Sequence, residues 1–163
     1  MLPKTIEELN RVRDDCHGMV TQRAGLSGGA ALVPIPGVDI AADVGLLLQL
    51  LPDINRRFGL APEQINQYDA QTKMFIANLI IQLGTKVAGQ LITKTIIMQL
   101  LKLVGIRMTA KQVIKYIPFF GQAAAAALSF GAMKFVGDQH VSECYDLAKR
   151  IIENGSNGDH PVA

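Results

Sequence analysis

The chain has 163 residues, the length of one domain of ordinary size with a real hydrophobic core. Charged residues make up 18% of it and apolar residues 49%, which is too apolar for a disordered protein, while a mean hydropathy of +0.23 is below that of most multi-span membrane proteins. A net charge of +2 is too small to indicate binding to nucleic acid.

The two cysteines, Cys16 and Cys144, lie far apart in the sequence. The N-terminus is charged and is predicted to be helical, without the apolar stretch of a signal peptide. We therefore expect a cytoplasmic, reducing environment with free thiols. A disulfide between the first and last helices is the alternative.

The first predicted helix covers residues 4–24, because Thr5 and Glu8 form a capping box and apolar residues follow at helical spacing. The glycine-rich stretch 25–37 predicts a short helix or a tight turn packed under a neighbour. Its Ser27-Gly28-Gly29 segment lacks the Lys-Ser/Thr pair of a Walker site, which excludes that phosphate-binding motif.

A rigid corner is predicted at Pro34, Pro36 and Gly37, because proline disfavours helix at its own position and at the residue before it. Asp39 is placed to cap the second helix, which Pro52 is expected to kink or end. Leucine occurs on all sides of this helix, a pattern typical of a buried helix or of one that faces lipid. Its uncharged stretch is too short to span a bilayer.

The second helix is predicted to end with the basic and aromatic residues Arg56, Arg57 and Phe58, followed by Gly59. These three residues are candidates for contact with acidic headgroups or with a partner protein. The alternative for the two arginines is a favourable interaction with the helix dipole.

The third helix is predicted over residues 63–83 and the fourth over 85–104, with a break at 105–107. Lys86, Lys94 and Lys102 recur every eight residues, so on one helix they would form a slowly drifting stripe. That stripe is interpreted either as a solvated face or as a basic face toward anionic lipid.

A second corner is predicted at residues 117–121, where Pro118 and Gly121 flank the candidate contact residues Phe119 and Phe120. A long helix should follow from Gln122 to about residue 153. Small residues recur in it every four positions, which predicts close helix crossings; they are residues 121, 125 and 129, and residues 123, 127 and 131.

No segment shows the period-two alternation of a strand between hairpin turns, so the predicted fold class is all-α. We expect a single compact bundle of about six helices over residues 1–153, with the two Pro/Gly corners. Residues 154–163 are predicted to be a disordered tail.

The sequence contains no recognisable catalytic motif. His17, His140 and His160 have no second ligand at metal spacing, and Asp39 with Asp43 is interpreted as a cap and a dipole partner rather than a metal site. The sequence therefore predicts no enzyme activity, no cofactor and no metal.

The segment VPIPGVDIAADVGLLLQLL, with INRRFGL after it, resembles the helical C-terminal region of the immunity-related GTPases, dynamin-like proteins that act at membranes. IPFFGQAAAAALSFGAMKFV and the amphipathic helix after it are similar to the last helices of that region. The likeness covers residues 24–152 and extends to the helical domain of some bacterial membrane-associated GTPases. The nucleotide-binding loop is missing, so the resemblance implies the helical module alone, with its association with membranes or partners.

Two functions are consistent with these patterns. The first is a non-enzymatic helical module, peripheral to a membrane, that associates with the membrane surface or with a membrane-linked partner protein. The second is a soluble helical interaction protein, such as an immunity, inhibitor or regulatory partner, with a homo-oligomer among the assemblies left open.

Overall fold

The structure, a computed structural model, describes residues 2–30, 38–85, 87–109 and 117–156. For residues 30, 38–41, 103–109, 117–125 and 155–156 it describes the backbone only. Every regular element in these ranges is an α-helix, which confirms the all-α prediction. The helices are α1 (Ile6–Ala30), α2 (Val38–Arg57), α3 (Pro62–Ile65), α4 (Ala70–Leu83), α5 (Lys94–Thr109) and α6 (Ile117–Ser156).

The chain divides into two compact units. Unit 1 comprises Met1–His17, Leu51–Leu91 and Gln139–Ala163, and unit 2 comprises Gly18–Leu50 and Ile92–Asp138. The single domain over residues 1–153 stays a prediction. Helix α6 reaches Ser156, so residues 154–156 of the predicted tail are helical, and residues 157–163 lie outside the described part.

Helix α1 begins where the sequence predicts and ends later. The Thr5 hydroxyl accepts a hydrogen bond from the Glu8 amide at 3.1 Å, and the Glu8 carboxylate accepts one from the Lys4 amide at 2.9 Å. The helix then continues through the glycine-rich stretch to Ala30 instead of ending near residue 24. Within this last part Gly28 packs closely against α6, since a Cβ there would lie 3.2 Å from the carbonyl oxygen of Ala126.

Helix α2 runs without interruption through Pro52 and ends at Arg57. Its C-terminus is a Schellman motif in which the amide of Gly59 donates to Arg56 and the amide of Leu60 donates to Asn55. Gly59 has a φ of 74°, so the predicted ending is confirmed. Pro34, Pro36 and Gly37 lie outside the described residues, as does the side chain of Asp39.

The predicted third helix is two helices, because Asp69 starts a new one. Its carboxylate accepts hydrogen bonds from the amides of Gln71 and Thr72 and from the Thr72 hydroxyl, which fixes it as the N-cap of α4. These hydrogen bonds, that from the Thr72 hydroxyl foremost, lower the pKa of Asp69.

The predicted start and end of the fourth helix, residues 85 and 104, were both wrong. Residues 87–93 are not helical, and α5 begins at Lys94 and runs past the predicted break at 105–107 to Thr109. Gly89 has a φ of 73°, a conformation that stops a helix, and a Cβ there would lie 2.9 Å from Ile80 Cδ1. Because α5 excludes residue 86, the proposed stripe of Lys86, Lys94 and Lys102 does not lie on one helix.

Helix α6 starts at Ile117, five residues earlier than predicted. Pro118 and Gly121 therefore lie inside its first turns and not in a corner before it. Proline is compatible with this position because the first amides of a helix have no intrahelical acceptor. Gly137 of α6 packs closely against Val20 of α1. Ala127, which belongs to one of the predicted rows of small residues, is instead exposed to solvent.

We predict that Gly137→Ala destabilises the protein by about 1–3 kcal/mol, because its Cβ would lie 2.6 Å from Val20 Cγ1 and 2.8 Å from Cγ2. Chemical denaturation measures this loss, and adding Val20→Ala should restore most of it. Gly25→Ala in α1 is the matched control, since nothing lies within 4 Å of its Cβ position. A Gly137→Ala protein as stable as the control would contradict the close packing.

Candidate functional site

The predicted basic corner does not form one contact surface. The exposed Arg56 guanidinium pairs with Asp53 at 2.9 Å and with Glu63 at 3.2 Å. The backbone hydrogen bond at Glu63, followed by that from Arg56, lowers the pKa of the Glu63 carboxyl. Arg57 is exposed, but Phe58 is fully buried, so its proposed role in membrane or partner contact is corrected to a core residue of unit 1.

The other candidate contact residues belong to unit 2 or lie outside the described part. Lys94 and Lys102 are exposed on α5. The side chains of Phe119 and Phe120 and all of Lys86 are outside the described residues. Arg56 and Arg57 thus belong to unit 1, whereas Lys94 and Lys102 belong to unit 2.

The two units differ in charge. Unit 2 contains seven Lys and Arg residues and three Asp residues, a net charge of +4, whereas unit 1 contains nine basic and eleven acidic residues, a net charge of −2. One of the three acidic residues of unit 2, Asp43, is buried, and Asp138 pairs with Lys134 at 2.5 Å. The basic excess of the chain is thus concentrated in unit 2.

Unit 2 also exposes large apolar side chains. Leu26 of α1 is 57% exposed and Phe135 of α6 is 48% exposed, and Leu48 and Phe130 are exposed to a smaller extent. A surface that combines aromatic and leucine side chains with net positive charge is the combination that interfacial membrane binding uses. No sequence pattern pointed to Leu26, Leu48, Phe130 or Phe135, because single apolar residues at a helix surface carry no motif.

A buried carboxylate joins three helices in unit 2. Asp43 of α2 accepts hydrogen bonds from the hydroxyls of Ser27 in α1 and Ser129 in α6, the latter at 3.0 Å, and all three residues are buried. A buried carboxylate requires such partners, so this cluster fixes the register of the helices. The sequence predicted Asp43 only as a helix-dipole partner, and no pattern in it indicated the two serine donors.

A second buried polar cluster lies in unit 1, between α2 and α6. His140 Nε2 lies 3.2 Å from the carbonyl oxygen of Leu51, and the Cys144 thiol donates to Asn55 Oδ1 at 3.3 Å. His140 Nε2 also lies 3.7 Å from Cys144 Sγ, and Asn55 Nδ2 donates to the carbonyl oxygen of Gln90 at 3.4 Å. The spacing of four residues between His140 and Cys144 is the sequence signal that indicates this cluster.

This cluster lacks the properties of a nucleophilic site. Burial raises the pKa of the Cys144 thiol well above its ordinary value, and burial also raises the pKa of Cys16 to about 11. A reactive cysteine needs a lowered thiol pKa and solvent access, and both thiols are buried. Both are free of a disulfide, as predicted. We interpret the cluster as a structural link between two helices.

No group of three or more metal-binding side chains occurs in the part of the chain that the structure describes. Within the same ranges, no helix combines enough length with enough apolar residues to cross a bilayer.

Comparison with known proteins finds distant relatives. The chain is 25% identical over 148 residues to interferon-inducible GTPase 5 of Bos taurus and 24% identical over 148 residues to that of Rattus norvegicus. Each alignment covers 90% of this chain and 32% of the relative, in its C-terminal, non-GTPase part, so the chain spans about a third of the curated relatives it matches. This fits a helical region like that of the immunity-related GTPases. No family model and no solved structure matches the chain.

The buried histidine predicts a specific dependence of stability on pH. Burial lowers the pKa of His140 to about 4 from the ordinary 6.5. Because the pKa of His140 is lower in the folded protein than in the unfolded chain, the unfolded chain binds the proton at a higher pH. The contribution of His140 to the free energy of unfolding is therefore complete above about pH 6.5 and is lost as the pH falls toward 4. A shift of this size corresponds to about 3 kcal/mol.

His140→Gln tests this prediction, since glutamine retains a side-chain N–H donor but does not titrate. We expect the free energy of unfolding of the variant, measured by denaturation across this pH range, to fall less steeply than that of the wild type. Identical pH dependence in the two proteins would show that His140 does not contribute.

Proposed function

We propose that the chain is a non-enzymatic helical module that associates with anionic membrane surfaces through unit 2. The observation that carries the proposal is the coincidence, in one unit, of a net charge of +4 with exposed leucine and phenylalanine side chains. Lysine and arginine near an anionic leaflet each contribute about 1 kcal/mol to binding, and apolar side chains enter the boundary between headgroups and acyl chains.

The described polar interior supports the non-enzymatic part of this proposal. The two buried polar clusters use their side chains in hydrogen bonds between helices, and those side chains are themselves buried; they belong to Ser27, Asp43, Ser129, Asn55, His140 and Cys144. The resemblance of the small-residue helices to membrane-acting immunity-related GTPases is in keeping with the same function. The chain matches only the part of its relatives outside the GTPase region, so nucleotide hydrolysis is not carried over.

A second candidate function is a helical interaction protein. Helix α4 in unit 1 favours it, since Met74 and Ile81 are 67% and 76% exposed on a face that carries no charged residue. Such a face suits another protein surface better than an anionic membrane.

The membrane proposal predicts that the full chain co-sediments with phosphatidylcholine vesicles that contain phosphatidylserine and much less with phosphatidylcholine alone. Lys94→Glu combined with Lys102→Glu should weaken binding at least about tenfold, because both lysines are exposed on α5 of unit 2. Added salt should weaken binding of the wild type.

The matched control is Arg11→Glu combined with Arg150→Glu, which makes the same change in net charge on exposed positions of unit 1. We expect this control to bind almost as well as the wild type. Wild-type protein that stays in the supernatant with anionic vesicles, or an equal loss in the control, would count against the proposal. The first outcome would favour the interaction protein.

A further inference from the structure

The outer face of α4 in unit 1 carries no charged residue along its whole length, and its polar residues are amides. Seven of its residues are exposed and none of them is charged; they are Ala70, Gln71, Met74, Ala77, Asn78, Ile81 and Gln82. The opposite face is buried through Thr72, Ile76 and Leu79. A surface helix ordinarily presents charged residues to solvent, so this face has the composition of an interface.

The apolar residues of this face follow a heptad seam. Ala70, Met74, Ala77 and Ile81 are separated by four, three and four residues, the spacing that places side chains on one stripe for packing against another helix. Small and large side chains alternate along the stripe. We refer to these four residues as the α4 seam.

We propose that the α4 seam pairs with the α4 seam of a second copy of this chain, antiparallel and about a two-fold axis. When the axis passes between Met74 and Ala77, Ala70 lies opposite Ile81 of the second copy and Met74 lies opposite its Ala77. Each large side chain then faces a small one, which is how packed helices fill space without voids. A parallel pairing would place methionine against methionine and alanine against alanine.

The charge pattern fits a second copy better than a lipid surface. In a two-fold interface the same surface of both copies is in contact, so like charges on that surface would repel each other. The α4 seam carries no charge. Helices that lie in a membrane interface carry several lysines or arginines on their polar face. Lys73 is the sole charged residue of α4, and its ammonium group lies 3.4 Å from the carbonyl oxygen of Asn66.

The interface is small, with four seam residues from each copy, so the dimer is expected to be weak and to depend on concentration. The pairing uses unit 1 and holds whether or not unit 2 binds membranes, which allows the two proposals to fail separately.

Analytical ultracentrifugation of the full chain, without lipid, tests the pairing. We expect the average mass to rise from monomer toward dimer as the concentration increases. Met74→Lys and Ile81→Lys, each alone, should keep the protein monomeric at every concentration, with an unchanged circular dichroism melt. Leu91→Lys is the matched control, because Leu91 is 72% exposed in unit 1 but lies outside α4, and it should dimerise like the wild type.

Cysteine cross-linking tests the antiparallel register. A mixture of Ala70→Cys and Ile81→Cys proteins should form a disulfide-linked heterodimer on mild oxidation, and the native Cys16 and Cys144 are buried and should not compete. Ala70→Cys alone should not cross-link, since the two copies of residue 70 would be about 16 Å apart along the helix axis, beyond disulfide reach.

Three results would overturn the proposal. One is a wild-type protein that remains monomeric at all concentrations. Another is efficient cross-linking of Ala70→Cys with itself, which would indicate a parallel pairing. The third is a monomer whose binding to vesicles is abolished by Met74→Lys and Ile81→Lys, which would assign the α4 seam to lipid.

Discussion

The hydrogen bonds that Asp43 accepts from Ser27 and Ser129 are the constraint on which the arrangement of unit 2 depends. A carboxylate cannot be buried without donors, so α1, α2 and α6 must approach in the one register that supplies them. That approach is close, and it is possible because Gly28 and Gly137 present no side chains to α6 and α1. The small residues set the distance between helices, and the carboxylate sets their register.

The surface of unit 2 exposes large apolar side chains, among them Leu26, Phe130 and Phe135. Basic residues on the same unit make that surface suited to an anionic partner. Unit 1 also exposes large apolar side chains, among them Met74, Ile81 and Leu91, but its net charge is negative.

Local signals predicted the parts of the fold that depend on neighbours in sequence. The capping box at Thr5 and Glu8 and the ending at Gly59 involve residues within five positions of one another, and both were predicted correctly. The start of α5 was missed because Gly89 packs against Ile80 and Ile65, which periodicity does not encode. Asp43 and Ser129 are 86 positions apart in the sequence, so no spacing rule could find this cluster. The charge asymmetry became visible only when the structure divided the chain into units.

We propose that unit 2 is the part of this chain that meets an anionic membrane. Hydrogen–deuterium exchange of the full chain, with and without phosphatidylserine vesicles, tests it most directly because it reports on both units in one sample. The account predicts slower exchange in peptides from residues 92–102 and 126–138 and unchanged exchange in residues 51–85. Protection confined to residues 51–85, or to no peptide at all, would contradict it.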